Sequence, residues 1–447
     1  MSPHWSTVPV YAEADVVVVG AGSAGAVAAI TAARAGADTL LVERQGYPGG
    51  TSTAVLDTFY GFYTPGSSAA KVVGGVPDDV VAGLTAYGPV IRRPNSFGAG
   101  TGVTYHPEHL KVVWDRLLAG AGARVLLHAF VQDADVSDGR VRELLVATKA
   151  GLRRIRAAVV VDASGDADVC HHAGFGYELA GAEAPAQTLT TTFKMVNVDV
   201  ARRFALTKRQ LAELMHDASA DGYELPRLDG SDHITPVDGM TATIMTRVTS
   251  YRTGPGGVVN ATDPDLLTAA ETAGRRQALE YVRFLRDRVP GYERAQLATL
   301  SAQIGVRETR RVYGDYRLNR ADVLAARQFD DQVALCGAPI EDHHSGSDTA
   351  WRYLPDGEAV GVPYRTLLVR DSVNTLVAGR CFSATHDAQA SVRSMAQCMA
   401  MGQAAGEAAA LAAASHVSPR DVPVGVLRDR LAANGAILSL DAEVPAR

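Results

Sequence analysis

Cysteine is scarce in this chain. There are four, Cys170, Cys336, Cys381 and Cys398, and no two stand at a C-x-x-C or C-x-x-x-x-C spacing. Neither a disulfide framework, a zinc knuckle nor a redox dithiol is indicated, and a reducing compartment fits best. Basic clusters are missing too. No run of five Lys/Arg occurs, and 43 basic against 49 acidic side chains leave a net charge of −6. That balance argues against a broad nucleic-acid footprint. The most apolar late stretch, residues 396–414, carries Gln397, Gln403 and Glu407 and is too polar for a membrane span. The first residues, MSPHWSTVPVYAEA, contain no basic segment ahead of an apolar core, so no secretory signal is read there. The expectation is a cytoplasmic protein with no membrane or nucleic-acid partner, in which an oligomer is possible. What the chain has in plenty is glycine, 43 of 447 residues, and a hydrophobic fraction of 47%, enough for a sizeable core.

The glycines are placed with purpose in DVVVVGAGSAGAVAAITAARAGADTLLVER, residues 15–44. Val16 to Val19 reads as a short buried strand, β-branched and bounded by glycine. Gly20, Gly22 and Gly25 then match G-x-G-x-x-G. The first permits a tight turn, the second lets backbone approach a pyrophosphate, and the third lets the helix pack on the strand. The helix, about 23–35, points the free N–H groups of Ser23, Ala24 and Gly25 and its positive dipole end at the phosphates. A second strand, 38–42, ends at Glu43, where a carboxylate would accept hydrogen bonds from ribose hydroxyls and repel a 2′-phosphate. A dinucleotide other than NADP is expected, and these residues alone leave FAD and NAD open.

Beyond them, residues 44–102 read as long loops around a short helix near 78–84, a length of loop that is usually functional. A helix is expected over 105–120, then one strand RVLLHAFV (124–131) followed by a small meander with turns at Asp138-Gly139 and Ala150-Gly151. Asp162 to Asp168 is a second glycine turn. The character changes from about 175 to 345: a strand at 188–194, a helix at 206–218, and a long helix at 263–288 capped by Thr262 or Asp263 and stopped by Pro290-Gly291. Gly254 to Gly257 is a loop with no helix behind it, so it is no second dinucleotide motif. An α/β pattern returns with a strand at 375–378 and the helix 396–414.

Five segments in this order, DVVVVGAGSAGAVAA…LLVERQGYPGGTST, VVVDASGDADV, IGVRETRRVYGDY, GVPYRTLLVRDSVNTLVAGRCFSATHDAQASVR and MAQCMAMGQAAGEAAA, resemble the FAD-dependent oxidoreductase family of the glutathione-reductase-type fold. The resemblance runs from about Asp15 to Ala414. It implies FAD and an α/β fold: a Rossmann-like three-layer FAD-binding domain from 1–175 and 346–447, with an inserted α+β substrate domain at 176–345. Relatives that use a nicotinamide coenzyme on the same chain carry a second G-x-G-x-x-G, and none is read here. The flavin is therefore expected to be reduced by a small organic substrate, at CH–OH or CH–NH, and reoxidised by dioxygen or a separate acceptor. C–C desaturation is the nearest alternative. Aromatic hydroxylation fits less well, because DASGD replaces the Asp-Gly pattern of those enzymes. An RNA-modifying flavoprotein expects a basic face, and a non-catalytic flavin sensor is the remaining alternative.

The resemblance also implies contacts. Gly50, Thr51 and Ser52 correspond to a loop over the pyrophosphate and the flavin edge; a simple turn is the competing reading. Arg44 stacks near adenine or is a solvated surface residue. Val131 lies where relatives meet adenine through backbone, and Ala163, Ser164 and Gly165 form the turn against the dinucleotide. Gly379 ends the last strand, followed by Arg380 where many relatives have an acid; the arginine meets the pyrophosphate or the flavin, or makes a salt bridge within the domain. Arg393, Met395, Ala396 and Gln397 lead the C-terminal helix toward the flavin. For proton chemistry, histidine titrates in the useful range. His343 in PIEDHHSG is preferred over His344 as the base, with His386 in SATHDA second and Tyr364 next; a hydrogen-bonded structural role competes for both histidines. Arg307, with Glu308 and Arg310, binds an anionic substrate or braces the domain interface. No metal is expected: Asp342-His343-His344 is compact but lacks further ligands.

Overall fold

The four valines form the inner half of strand β1 (Val10–Val19), fully enclosed in a computed structural model that describes residues 5–66, 69–95, 98–344 and 349–440. β-Branched side chains suit a strand covered on both faces, and a parallel sheet is built from such strands. β1 lies between β2 (Thr39–Val42) and β6 (Gly151–Asp162). β3 (Arg124–Leu126) flanks β2, β11 (Thr375–Val377) flanks β6, and all five are parallel. The register aligns the strand ends: Val19 pairs with both Val42 and Asp162, and Asp162 pairs with Val377. The residues that follow, Gly20, Glu43, Ala163 and Ala378-Gly379, are therefore brought to one edge of the sheet.

The N-terminal half of β6 continues into an antiparallel meander with β5 (Arg140–Thr148) and β4 (Phe130–Ser137), turning at the two expected places. The single strand expected over 124–131 is instead two. It breaks at His128, whose φ is 53°, so that Arg124–Leu126 joins the parallel sheet while Phe130 onward joins the meander.

Helix α1 (Ser23–Arg34) packs against α4 (Met395–Ser415), the alanine-rich helix at the other end of the chain. Gly402 and Gly406 set the distance. A Cβ at Gly402 would stand 2.1 Å from the Ala24 carbonyl oxygen, and one at Gly406 would stand 2.3 Å from that of Ala28. The alanine richness is thus explained by close helix packing. Among the described residues no helix is long and apolar enough to cross a membrane.

Residues between 193 and 300 build a second, antiparallel sheet. Its order is β8 (Ser231–Ile234), β9 (Thr241–Ile244), β7 (Phe193–Val196) and β10 (Gln296–Leu300). Helix α2 (Pro264–Arg288) covers it, burying Tyr281, Phe284 and Leu285 against Phe193, Met195 and Met245. The Asp263 side chain accepts from the Leu266 N–H at 2.8 Å and caps the helix.

Candidate functional site

At the sheet edge the glycine turn has the shape its sequence promises. Gly25 cannot carry a side chain, since a Cβ there would lie 1.8 Å from the Gly20 carbonyl oxygen; beside Gly22 there is nothing within 4 Å. The α1 N-terminus, with Ser23 and Ala24, has no side-chain cap. Open backbone in front of an uncapped helix end is what a pyrophosphate requires. Glu43 is buried, and its carboxylate accepts from the Ala21 N–H at 2.6 Å and the Gln45 N–H at 2.8 Å, which holds it beside the turn. Arg44 is exposed. Gly49 donates its N–H to the Ala21 carbonyl at 2.7 Å, and a Cβ on Gly50 would lie 2.9 Å from Gly22 Cα, so the Gly50-Thr51-Ser52 loop sits directly on the first turn. The Ser52 hydroxyl donates to the Gly49 carbonyl at 2.7 Å.

Two more turns join this edge. Ala163 donates its N–H to the Val19 carbonyl at 2.9 Å. The Ser164 hydroxyl donates to Asp162 at 2.7 Å and accepts from the Asp168 N–H, tying the DASGD turn to itself. Gly379 stands against Ala24, where a Cβ would lie 2.9 Å away. Arg380 reaches over Gly165 and donates to Asp166 at 2.7 Å, the salt bridge within the domain, while its buried Nη1 has no partner among the described residues. Val131 is buried and pairs with Val146; nearby, the Ala129 N–H bonds the Glu43 carbonyl at 2.9 Å. The residues present therefore fit a dinucleotide: an open backbone cradle, a fixed carboxylate and an orphaned guanidinium nitrogen.

The C-terminal helix start differs from expectation. The Ala396 N–H is already taken by the Tyr60 carbonyl at 3.3 Å, and the fully buried Gln397 donates to the Gly61 carbonyl at 2.6 Å. Both anchor the loop at Tyr60-Gly61. Tyr364 is corrected too. Its hydroxyl donates to the Pro419 carbonyl at 2.8 Å and burial pushes its pKa up, so it serves packing and not proton transfer.

The two histidines have opposite surroundings. His386 opens helix α3 (His386–Val392) between two carboxylates, with Nδ1 3.0 Å from Glu308 and Nε2 3.2 Å from Asp342. Burial disfavours its charge, but the hydrogen bonds and charges of Asp342 and Glu308 outweigh burial and raise its pKa to about 9. It is an imidazolium at neutral pH and a clamp. His343 is more enclosed. Its Nε2 lies 2.9 Å from Glu341 and its Nδ1 3.0 Å from the Thr349 hydroxyl. Burial, then the positive charge of Arg307, push its pKa down to about 3 despite Glu341. Facing a carboxylate, Nε2 carries the proton, which leaves Nδ1 of the neutral ring as an acceptor for the Thr349 hydroxyl, a hydroxyl that Asp229 also reaches. His344 bonds Asp342 at 2.8 Å and is more exposed.

Arg307 lies at the same place. Its Nη1 donates to the Thr188 carbonyl at 2.5 Å and the Thr190 hydroxyl at 2.8 Å, and the Thr188 N–H donates to the His343 carbonyl at 2.9 Å. Arg393 donates to Gln187 Oε1 at 2.8 Å and to the Glu341 backbone carbonyl at 3.4 Å. Glu308, by contrast, is consumed by Gln187 N–H, His386 and Arg311, and Arg310 is held by Asp168. Sequence reasoning missed Glu341, Thr349, Arg227 and Arg247. The last two reach Thr349 Oγ1 at 3.5 Å from strands and loops of the second sheet, so no local spacing signals them. It also missed the buried pair Asp57–His233, at 2.8 Å, which ties the loop after the glycine turn to β8.

A family model described as FAD dependent oxidoreductase matches residues 15–431. Digeranylgeranylglycerophospholipid reductase 1 of Methanopyrus kandleri is 32% identical over 160 residues, covering 34% of this chain and 40% of that protein, so the match spans about two fifths of the relative's length. Among solved structures, a geranylgeranyl bacteriochlorophyll reductase-like protein from Thermoplasma acidophilum is 15% identical, with a TM-score of 0.47 over 94% of this chain and 82% of its own. A flavin-dependent brominase is 15% identical, with a TM-score of 0.47 over 95% and 84%. Matched from Asp15 to Leu431, the chain belongs to the family of FAD-dependent oxidoreductases and binds FAD.

Proposed function

We propose that this enzyme oxidises a small organic substrate at CH–OH or CH–NH, with His343 taking the proton. The observation that carries the reading is the Glu341–His343–Thr349 chain, 2.9 and 3.0 Å between partners, which leaves a neutral ring nitrogen behind a hydroxyl. FAD would be held by the three turns at the sheet edge: Gly20 to Gly25 with Glu43, Arg44 and Gly50 to Ser52 around the first, Ala163 to Gly165 with Val131, and Gly379-Arg380. When bound, FAD would supply a two-electron acceptor for the C–H hydride, with dioxygen or a separate acceptor as the final oxidant. The chain's own residues handle the proton. The substrate O–H or N–H donates to Thr349 Oγ1 while Thr349 gives its proton to His343 Nδ1. Glu341 accepts from Nε2–H throughout and stabilises the imidazolium that forms. CH–OH thus becomes C=O, losing one hydride and one proton.

The test is anaerobic bleaching of the yellow holoenzyme by a panel of alcohols, amines and hydroxy or amino acids, with NADH and NADPH as controls. Rapid bleaching by an organic compound and none by the coenzymes supports the reading. Fast bleaching by NADH alone overturns it. The Methanopyrus relative is named a reductase, and a second reading, C–C desaturation or its reverse, accommodates that. It expects reoxidation of the bleached enzyme by an unsaturated compound.

A further inference from the structure

We propose that the substrate carries a carboxylate, received by Arg307 and Arg393 beside the Glu341–His343–Thr349 chain, so that it is a hydroxy acid or an amino acid. The inference rests on the oxidative reading, which places the substrate at His343.

The argument starts from how this protein treats its enclosed arginines. Arg203 meets Asp232 at 2.5 Å, Arg227 meets Asp229 at 2.5 Å, Arg311 meets Glu308 at 2.6 Å and Arg380 meets Asp166 at 2.7 Å. Arg307 and Arg393 form no ion pair among the described residues. Among the described residues their hydrogen bonds run to neutral oxygens only, those of Thr188, Thr190 and Gln187 and the Glu341 carbonyl, and the buried Arg393 Nε has no partner. Both feel the charge of Glu341, and Arg393 that of Glu308, but neither touches a carboxylate, whereas enclosed guanidiniums are paired as a rule. Their charges also press on each other: burial, then Arg393 and Arg227, push the Arg307 pKa down to about 9. Arg227 is held by Asp229, while Arg307 and Arg393 share Glu341, and Arg393 also feels Glu308. An anion in contact with Arg307 and Arg393 would complete them.

A carboxylate suits them. It is planar and takes two parallel N–H bonds from one guanidinium. The Thr188 peptide bonds both Arg307 and the His343 backbone, so the anion site and the proton acceptor share one anchor. A carboxylate there would stand close to the carbon being oxidised. Its charge would also relieve the depression of the His343 pKa, making the ring a better base only when substrate is present.

The test titrates the oxidised holoenzyme with sodium benzoate, benzamide and inorganic phosphate, following the flavin absorption spectrum and FAD content. Benzoate is expected to perturb the spectrum saturably and benzamide to fail. Arg307→Gln and Arg393→Gln are expected to weaken benzoate at least about tenfold with FAD retained, and Arg307→Lys less. Equal effects of benzamide and benzoate, no effect of benzoate, phosphate binding in place of benzoate, or an Arg307→Gln protein that binds benzoate like the parent each overturn the proposal. A lowered FAD content in Arg393→Gln, with the benzoate affinity of the remaining flavinated fraction unchanged, assigns that arginine to the cofactor and removes it from the site. Because the readout is binding, it separates the two claims. Arg307-dependent benzoate binding without bleaching by any candidate substrate sinks the oxidative reading alone, whereas bleaching by neutral alcohols without benzoate binding sinks the carboxylate alone.

Discussion

The His386 imidazole stands 3.0 Å from the Glu308 carboxylate, at the start of a helix that follows the last strand of the parallel sheet. Its folded-state pKa of about 9 exceeds the ordinary value near 6.5. The stabilisation is therefore complete below about pH 6.5 and is lost as pH rises through about 9. Thermal melting should fall between pH 7 and pH 10 in the parent and much less in His386→Ala. That variant should cost about 1–3 kcal/mol at pH 7, since Glu308 and Asp342 each lose one charged hydrogen-bond partner and keep another, Arg311 and His344. An unchanged slope would show that the clamp is not charged.

His343→Ala should keep FAD and lose about 10²–10⁴-fold in the rate of flavin reduction by substrate. Thr349→Val tests the hydroxyl between them and should lose rate while leaving FAD content unchanged. Because the ring is neutral well below physiological pH, kcat/KM should show no acid limb from this group between pH 5 and 8. If His343→Ala is reduced at the parental rate, the base lies elsewhere.

Replacing Glu43 with Ala removes the acceptor for the Ala21 and Gln45 N–H groups and, with it, the proposed acceptor for the ribose. The expected loss of FAD affinity is about 1–3 kcal/mol, roughly tenfold to a hundredfold. Fluorescence titration of the apoprotein measures it. Parental affinity in Glu43→Ala would remove the ribose contact.

The dinucleotide turn was legible because every element of it is local. Three glycines, a strand, a helix and Glu43 lie within thirty residues, and each obeys a short-range rule. Helix ends were readable for the same reason: Asp263 caps α2, and the helix expected at 206–218 starts at Lys208 behind the Thr207 cap. Tyr364 was misread because its partner, the Pro419 carbonyl, is remote in sequence and nothing near Tyr364 announces it. The break at His128 was hidden because apolar residues on both sides suit a strand equally, and only the two different neighbours, β2 and β5, separate them. Thr349, Arg227 and Arg247 meet only because loops of the second sheet reach the strand pair of residues 340–342 and 350–352, which periodicity does not report.

Gly402→Val should clash with the Ala24 carbonyl and push α1 away from α4. Overpacking of this kind costs about 1–3 kcal/mol. Because Ala24 lies at the helix end proposed to face the pyrophosphate, FAD content should fall along with the melting temperature. Full FAD occupancy in a destabilised Gly402→Val protein would show that the helix end tolerates the shift.

The contact of Gly402 with Ala24 and of Gly406 with Ala28 also fixes an order of events during synthesis. Helix α1 leaves the ribosome early, but the surface that covers it is made nearly four hundred residues later. At about 5–20 residues per second that interval is roughly 20–80 s. Through it, the alanine face of α1 and the flank of β6 awaiting β11 stay open to solvent and to other nascent chains. Stable capture of FAD is therefore expected only after the C-terminal helix has emerged, late in translation.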